Sequence, residues 1–261
     1  MFGKPRLIDK HTEAWFFDRF AWILENFSQE KPVNRTELVT PSPEHFPVDP
    51  DGASVPEQLL RHVINYSGVD HWTFSLERVD ENGTKDLGSA LLLYPLTQAS
   101  PVEANDNEDD CLPITYPDRY DTSAQHLISC FSSHIGWYLA QTVEMPEEFD
   151  EEEFPLIADL MAIYLGFGVI RSNTSFDSQS DGEFGWHAWS TERQGFLTEG
   201  TTIFATLVFA ELAGIEVERV RAGLKPRLHK QLEKARRQIV HSQDDIARLR
   251  ALEPRNLSIV D

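Results

Sequence analysis

Residues 156–170 read Leu-Ile-Ala-Asp-Leu-Met-Ala-Ile-Tyr-Leu-Gly-Phe-Gly-Val-Ile, and Asp159 is the only charged group among them. The run is too long for one strand and too short to cross a bilayer, so the pattern predicts a buried helix. A carboxylate inside such a helix is costly unless it is paired or hydrogen-bonded. Two roles are open for it: a structural aspartate bonded to a neighbouring helix, or a group that orients a catalytic or metal-site residue.

The elements on either side build outward from that helix. Upstream, Thr122 and Gln125 have capping-box spacing and predict a helix running to about Thr142. The short acidic connector Glu144–Glu153 then makes the two helices packing neighbours. Downstream come a polar loop at Ser172–Gly182, a strand at Phe184–Trp189 and a helix near Thr198–Leu212. A last helix is expected from Pro226 to Leu252. Gly166 and Gly168 lack the strand–loop–helix context of a nucleotide fingerprint and are expected to let another helix approach closely.

The N-terminal half is more mixed. Trp15, Phe16, Phe20, Ile23, Leu24 and Phe27 recur at spacings of three and four, which predicts a helix over 12–28. The prolines between Thr40 and Pro56 predict an ordered, extended connector, and Pro56 opens a helix ending near Tyr66. Trp72, Phe74 and Leu76 alternate with polar residues as in a half-buried strand. Asn82-Gly83 signals a hairpin turn toward Ser89–Tyr94, with Ile114–Tyr116 as a short edge strand. The expectation is an α+β fold, helix-rich with a small antiparallel sheet. A single domain is expected over 1–225, followed by a basic amphipathic helix and tail over 226–261.

Composition narrows the function classes. With 41% apolar residues among 261, most of the chain should fold. The start lacks a signal-peptide pattern, no run reaches eighteen apolar residues, and the two cysteines make no disulfide framework; a cytoplasmic protein is expected. A net charge of −20 argues against nucleic acid as a partner. The charge is uneven: from Arg219 onward there are eleven Lys/Arg against five Asp/Glu, leaving −26 on the remainder. The basic end could dock on its own body, on a second copy or on an acidic partner. Its apolar seam (Leu224, Leu228, Leu232, Ala235, Ile239, Ile246, Leu249) suits core packing, a homodimer or a partner helix. An acidic body disfavours a membrane surface.

Several stretches in order, WILENF, LVTPSPEHFPVDPDG, LRHVINYSGVD, IADLMAIYLGFGVIRSNTSF and GWHAWSTERQGFLTE, resemble an uncharacterised bacterial family over roughly residues 12–240. The resemblance implies a metallopeptidase-like core of the gluzincin type, with HExxH on the helix corresponding to 122–142. It also implies Glu-x-x-x-Asp on the helix that follows. This chain departs from that layout at every ligand. Ser133, His134 and Trp137 stand where His, Glu and His would be, and Pro155 stands where Glu would be. Asp159 alone matches, and its implied role is to hold a ligand histidine that is missing here.

A rebuilt metal site from Cys130, His134 and Asp159, with zinc as the ion, is one alternative; a hydrogen bond from His134 to Asp159 is another. His126, Cys130 and His134 share a helical face, but the outer two are separated by about 12 Å of rise, too far for one ion. Ser132 or Ser133 with His134 makes a poor nucleophilic pair, since sequence neighbours do not face each other on a helix. Cys111 sits beside an acidic loop, which raises a thiol pKa. Trp186, Trp189 and Phe196 are expected core anchors, with Arg193 and Gln194 lining a cleft. The expected function is therefore that of a pseudoenzyme without catalytic residues or cofactor, binding a protein or peptide, with a basic partner favoured by the acidic body. The rival is a metal-dependent hydrolase using the rebuilt site.

Overall fold

The computed structural model describes residues 6–29, 31–79, 111–146, 149–175 and 195–252. Nine α-helices and a two-stranded sheet are formed among them. Helix α1 (Lys10–Phe27) is capped by Asp9, whose carboxylate accepts from the backbone N–H groups of His11 and Thr12. Its stripe buries Phe16, Phe17, Phe20, Ile23 and Leu24. The proline-rich connector is pinned to α2 (Val55–Ser67) by Gln58, whose side chain bonds both the N–H and the carbonyl of Asp49, at 2.8 and 2.9 Å.

Strand β1 (Phe74–Val79) pairs with β2 (Leu112–Pro117), and the pairing is parallel, in register from Phe74 with Leu112 to Val79 with Pro117. The expected sheet was antiparallel, so its direction is corrected. A parallel pair needs a crossover connection, and the chain between Val79 and Leu112 is long enough to provide one. The expected hairpin turn, its strand Ser89–Tyr94 and the strand Phe184–Trp189 lie outside the described residues.

Helix α3 (Ala124–Ala140) begins one residue later than expected, with Ser123 rather than Thr122 at its N-cap. Thr122 closes a preceding 3₁₀ turn, Asp118–Thr122, and no capping box forms there. Helix α4 (Phe154–Ala162) passes through a π-helical turn, Ile163–Phe167, into α5 (Gly168–Thr174). As expected, α3 and α4 are packed neighbours. The contact closes at Gly136, where a Cβ would lie 2.5 Å from the carbonyl oxygen of Ala158.

The helical stretch Phe154–Thr174 is 21 residues, longer than expected, and meets the length and composition for a membrane crossing; 94% of the window is enclosed by the rest of the chain. It is also kinked. Gly166 has φ of +100°, and its Cβ would fall 2.0 Å from the carbonyl oxygen of Glu37. The connector around Glu37–Val39 crosses there, with the Val39 N–H donating to the Gly166 carbonyl at 3.0 Å. Gly168 meets a helix, as expected of both glycines: its Cβ would lie 2.5 Å from the hydroxyl of Thr206.

That second helix is α6 (Glu199–Ala213), followed by α7 (Val217–Gly223), α8 (His229–Ile239) and α9 (Gln243–Arg250). The single terminal helix expected from Pro226 to Leu252 is thus divided by a turn at Val240–Ser242. Asp244 and Asp245 in the first turn of α9 suit a helix start there. Leu228, Leu232, Ala235, Ile239, Ile246 and Leu249 all enter the main core. The seam packs against the chain's own α1 and α6 side. Arg227 pairs with Glu199, Arg248 with Asp18 and Arg250 with Glu211, so part of the basic end docks on its own body.

Candidate functional site

Asp159 is 1% exposed and lies at the centre of the helical core. Its partner is Arg171, 3% exposed, whose Nη2 donates to Oδ1. Twelve residues of straight helix would separate the two Cα atoms by about 18 Å, beyond the combined reach of these side chains. The break at Gly166 folds α5 back so that the pair can close. The kink and the ion pair are one feature of the fold.

The remaining bonds of the pair come from α3 and from the turn before α6. Ser133 accepts from Arg171 Nη1 and donates to Asp159 Oδ1 at 3.4 Å. Arg171 Nη1 also donates to the Ser129 carbonyl and hydroxyl, at 3.1 and 3.2 Å. Asp159 Oδ2 accepts the backbone N–H groups of Phe196 at 2.6 Å and Leu197 at 3.0 Å. Gly195 makes this approach possible: with φ of +95°, its Cβ would lie 2.4 Å from Arg171 Nη2 and 2.9 Å from Asp159 Oδ2. Both carboxylate oxygens are bonded, and the guanidinium supplies the compensating charge that a buried carboxylate needs.

The other expected residues face elsewhere. Ser129, Ser133 and Gly136 form the α3 stripe that meets α4 and α5. Cys130 and His134, a step round the helix, turn toward the sheet, where the Cys130 thiol lies 3.5 Å from the Thr115 carbonyl. His134 Nδ1 donates to the Cys130 carbonyl at 3.0 Å and lies 3.8 Å from its sulfur. The expected bond from His134 to Asp159 is therefore corrected: adjacent positions on a helix diverge by about 100°, and it is Ser133 that faces the carboxylate. Burial pushes the Cys130 thiol up to about 12 and holds the His134 imidazole below its ordinary range, the carbonyl bond opposing.

Cys130, His134 and Asp159 are thus not brought together, and no cluster of three or more His, Cys, Asp or Glu side chains suited to a metal ion occurs among the described residues. Trp137 packs edge-on against Phe154 with ring centroids 4.4 Å apart, and Pro155 sits in the first turn of α4. At His126, Ser123 bonds the ring Nδ1 at 2.6 Å and Tyr120 stacks on the ring. Phe196 is half-buried; Trp186, Trp189, Arg193 and Gln194 lie outside the described residues. Arg171 and Gly195 were missed by sequence reasoning. The signal was present, since Arg171 is the first charge after the apolar run ends at Ile170.

What this arrangement can do chemically is limited by its burial. It is a saturated polar knot joining four segments of chain, with a thiol and an imidazole beside it that are both held neutral. Comparison of the chain with family models, with curated proteins and with solved structures gave no match in any of the three.

Proposed function

We propose that this chain is a degenerate, metallopeptidase-like protein that acts by binding a protein or peptide rather than by catalysis. The observation that supports the reading is the Asp159–Arg171 pair. In the layout that the sequence resembles, the corresponding carboxylate holds a metal-ligating histidine. Here its oxygens are taken by a guanidinium, a serine and two backbone N–H groups. A divalent ion brought to this carboxylate would face the positive charge of Arg171 at close range. Ser133, Trp137 and Pro155, at the other ligand positions of the resemblance, offer no imidazole or carboxylate.

A binding role then rests on the surface, and the net charge of −20 favours a partner with a basic face, drawn in by long-range attraction. The test is metal analysis of protein purified without added zinc, with calorimetric titration of zinc into the same sample. The expected result is no stoichiometric metal and no saturable heat. Stoichiometric zinc that is lost in His134→Ala, together with hydrolytic activity, would overturn the reading in favour of a rebuilt metal site.

A further inference from the structure

In a chain with 43 acidic residues against 23 basic ones, every cation has a carboxylate to find. Most arginines near the C-terminal end find one: Arg221 pairs with Glu218 and Glu233, and Arg227, Arg248 and Arg250 pair with the body. The outer face of α8 is different. Lys230, Lys234 and Arg237 recur at spacings of four and three, which sets them in one line along the helix. Lys230 and Arg237 are exposed and Lys234 is half-buried, and none of the three has a carboxylate partner among the described residues. Among the described residues Arg237 bonds only the Glu233 carbonyl, at 3.1 Å. The one acidic side chain within the line, Glu233, is drawn aside by Arg221. The opposite face of α8 is fixed in the core through Leu232, Ala235 and Ile239, so the line is held rigid and outward.

From these observations we infer that the outer face of α8 is a docking surface for a short acidic segment of a partner protein. At physiological salt, charges separated by more than about 8 Å are screened, so an approaching group senses this line rather than the whole molecule. The line is about 10 Å long. That length matches carboxylates on two turns of a helix or at alternate positions of a strand. A longer anion, such as a duplex, would run off the line onto the acidic body. This surface is separate from the Asp159 core, and zinc found at His134 would end the reading above without touching this one.

The test is fluorescence anisotropy on the full chain with a labelled, Glu-rich peptide of about two helical turns. Binding is expected at about 50 mM salt and is expected to weaken about tenfold in Lys230→Glu/Lys234→Glu/Arg237→Glu. Raising salt to about 300 mM should weaken it comparably. Arg61→Glu, an exposed cation of α2, should bind as the parent does, and circular dichroism should show both variants folded. Absence of binding by the parent, equal binding by the triple variant or tighter binding of a DNA duplex would each overturn the inference. So would a concentration-dependent mass in light scattering that the triple variant abolishes, which would name a second copy as the occupant.

Discussion

Removal of the Arg171 guanidinium leaves a buried carboxylate without its counter-charge, which in comparable sites costs about 3–5 kcal/mol. Arg171→Met is therefore expected to lower the urea midpoint sharply, and Asp159→Leu/Arg171→Met to recover part of the loss. An unchanged midpoint in the single variant would sink the account of the core given above. His134 makes a second test at this scale. Its folded imidazole protonates less readily than the unfolded one, because burial disfavours the charged form. The unfolded chain therefore takes up the proton first as pH falls. The contribution is whole above the ordinary value of 6.5 and is lost as pH drops toward the folded value, by at most about 1.4 kcal/mol per pH unit. His134→Gln should flatten the dependence of stability on pH below 6.5; an identical slope in the variant would remove His134 from the explanation. Cys130, with its thiol pushed up to about 12 and its side chain buried, should react with a thiol reagent only after unfolding. Asp159 was legible because a lone carboxylate in an apolar run must be satisfied. Its partner was not, because the reach from α4 to α5 depends on a kink that periodicity does not reveal.

Glycines carry the tests at the scale of elements. Gly136→Ala would press a methyl into the Ala158 carbonyl and drive α3 from α4, at a cost of about 1–3 kcal/mol. Gly195→Ala combines a positive φ with a clash against the ion pair, and should cost about the same or more. Thermal unfolding measures both; wild-type stability in either would mean that the helices are not held as close as described. The helices themselves were readable from apolar spacing, to within a few residues at most ends. Strand direction was not, because β1 and β2 are joined by a segment whose length admits either sense of pairing. The break between α8 and α9 was hidden as well: Ile239, Ile246 and Leu249 continue one helical stripe across it, and only Ser242 with the two aspartates behind it hints at a fresh start.

For the whole molecule, the last helices are structural members rather than an appendage. Deleting 226–252 would expose the core surface that Leu228, Leu232, Ala235 and Ile239 cover. Loss of cooperative urea unfolding is the expected outcome; a truncated chain that melts sharply at the parent midpoint would contradict it. The basic end was legible as charge, and its options of docking at home or abroad followed from that. Which option each residue takes was not, because it depends on where individual carboxylates of a distant helix come to lie.

Gln238 of α8 grips the other end of the described chain. Its side-chain oxygen accepts the N–H groups of Leu7 and Ile8 at 3.0 and 3.3 Å, and its amide donates to the Ile8 carbonyl at 3.1 Å. The partners of the second of these bonds are 230 residues apart. Translation delivers Leu7 and Ile8 early and Gln238 late. The clasp therefore cannot shut while the ribosome still holds α8, and in a nascent polypeptide the residues leading into α1 stay unfastened until then.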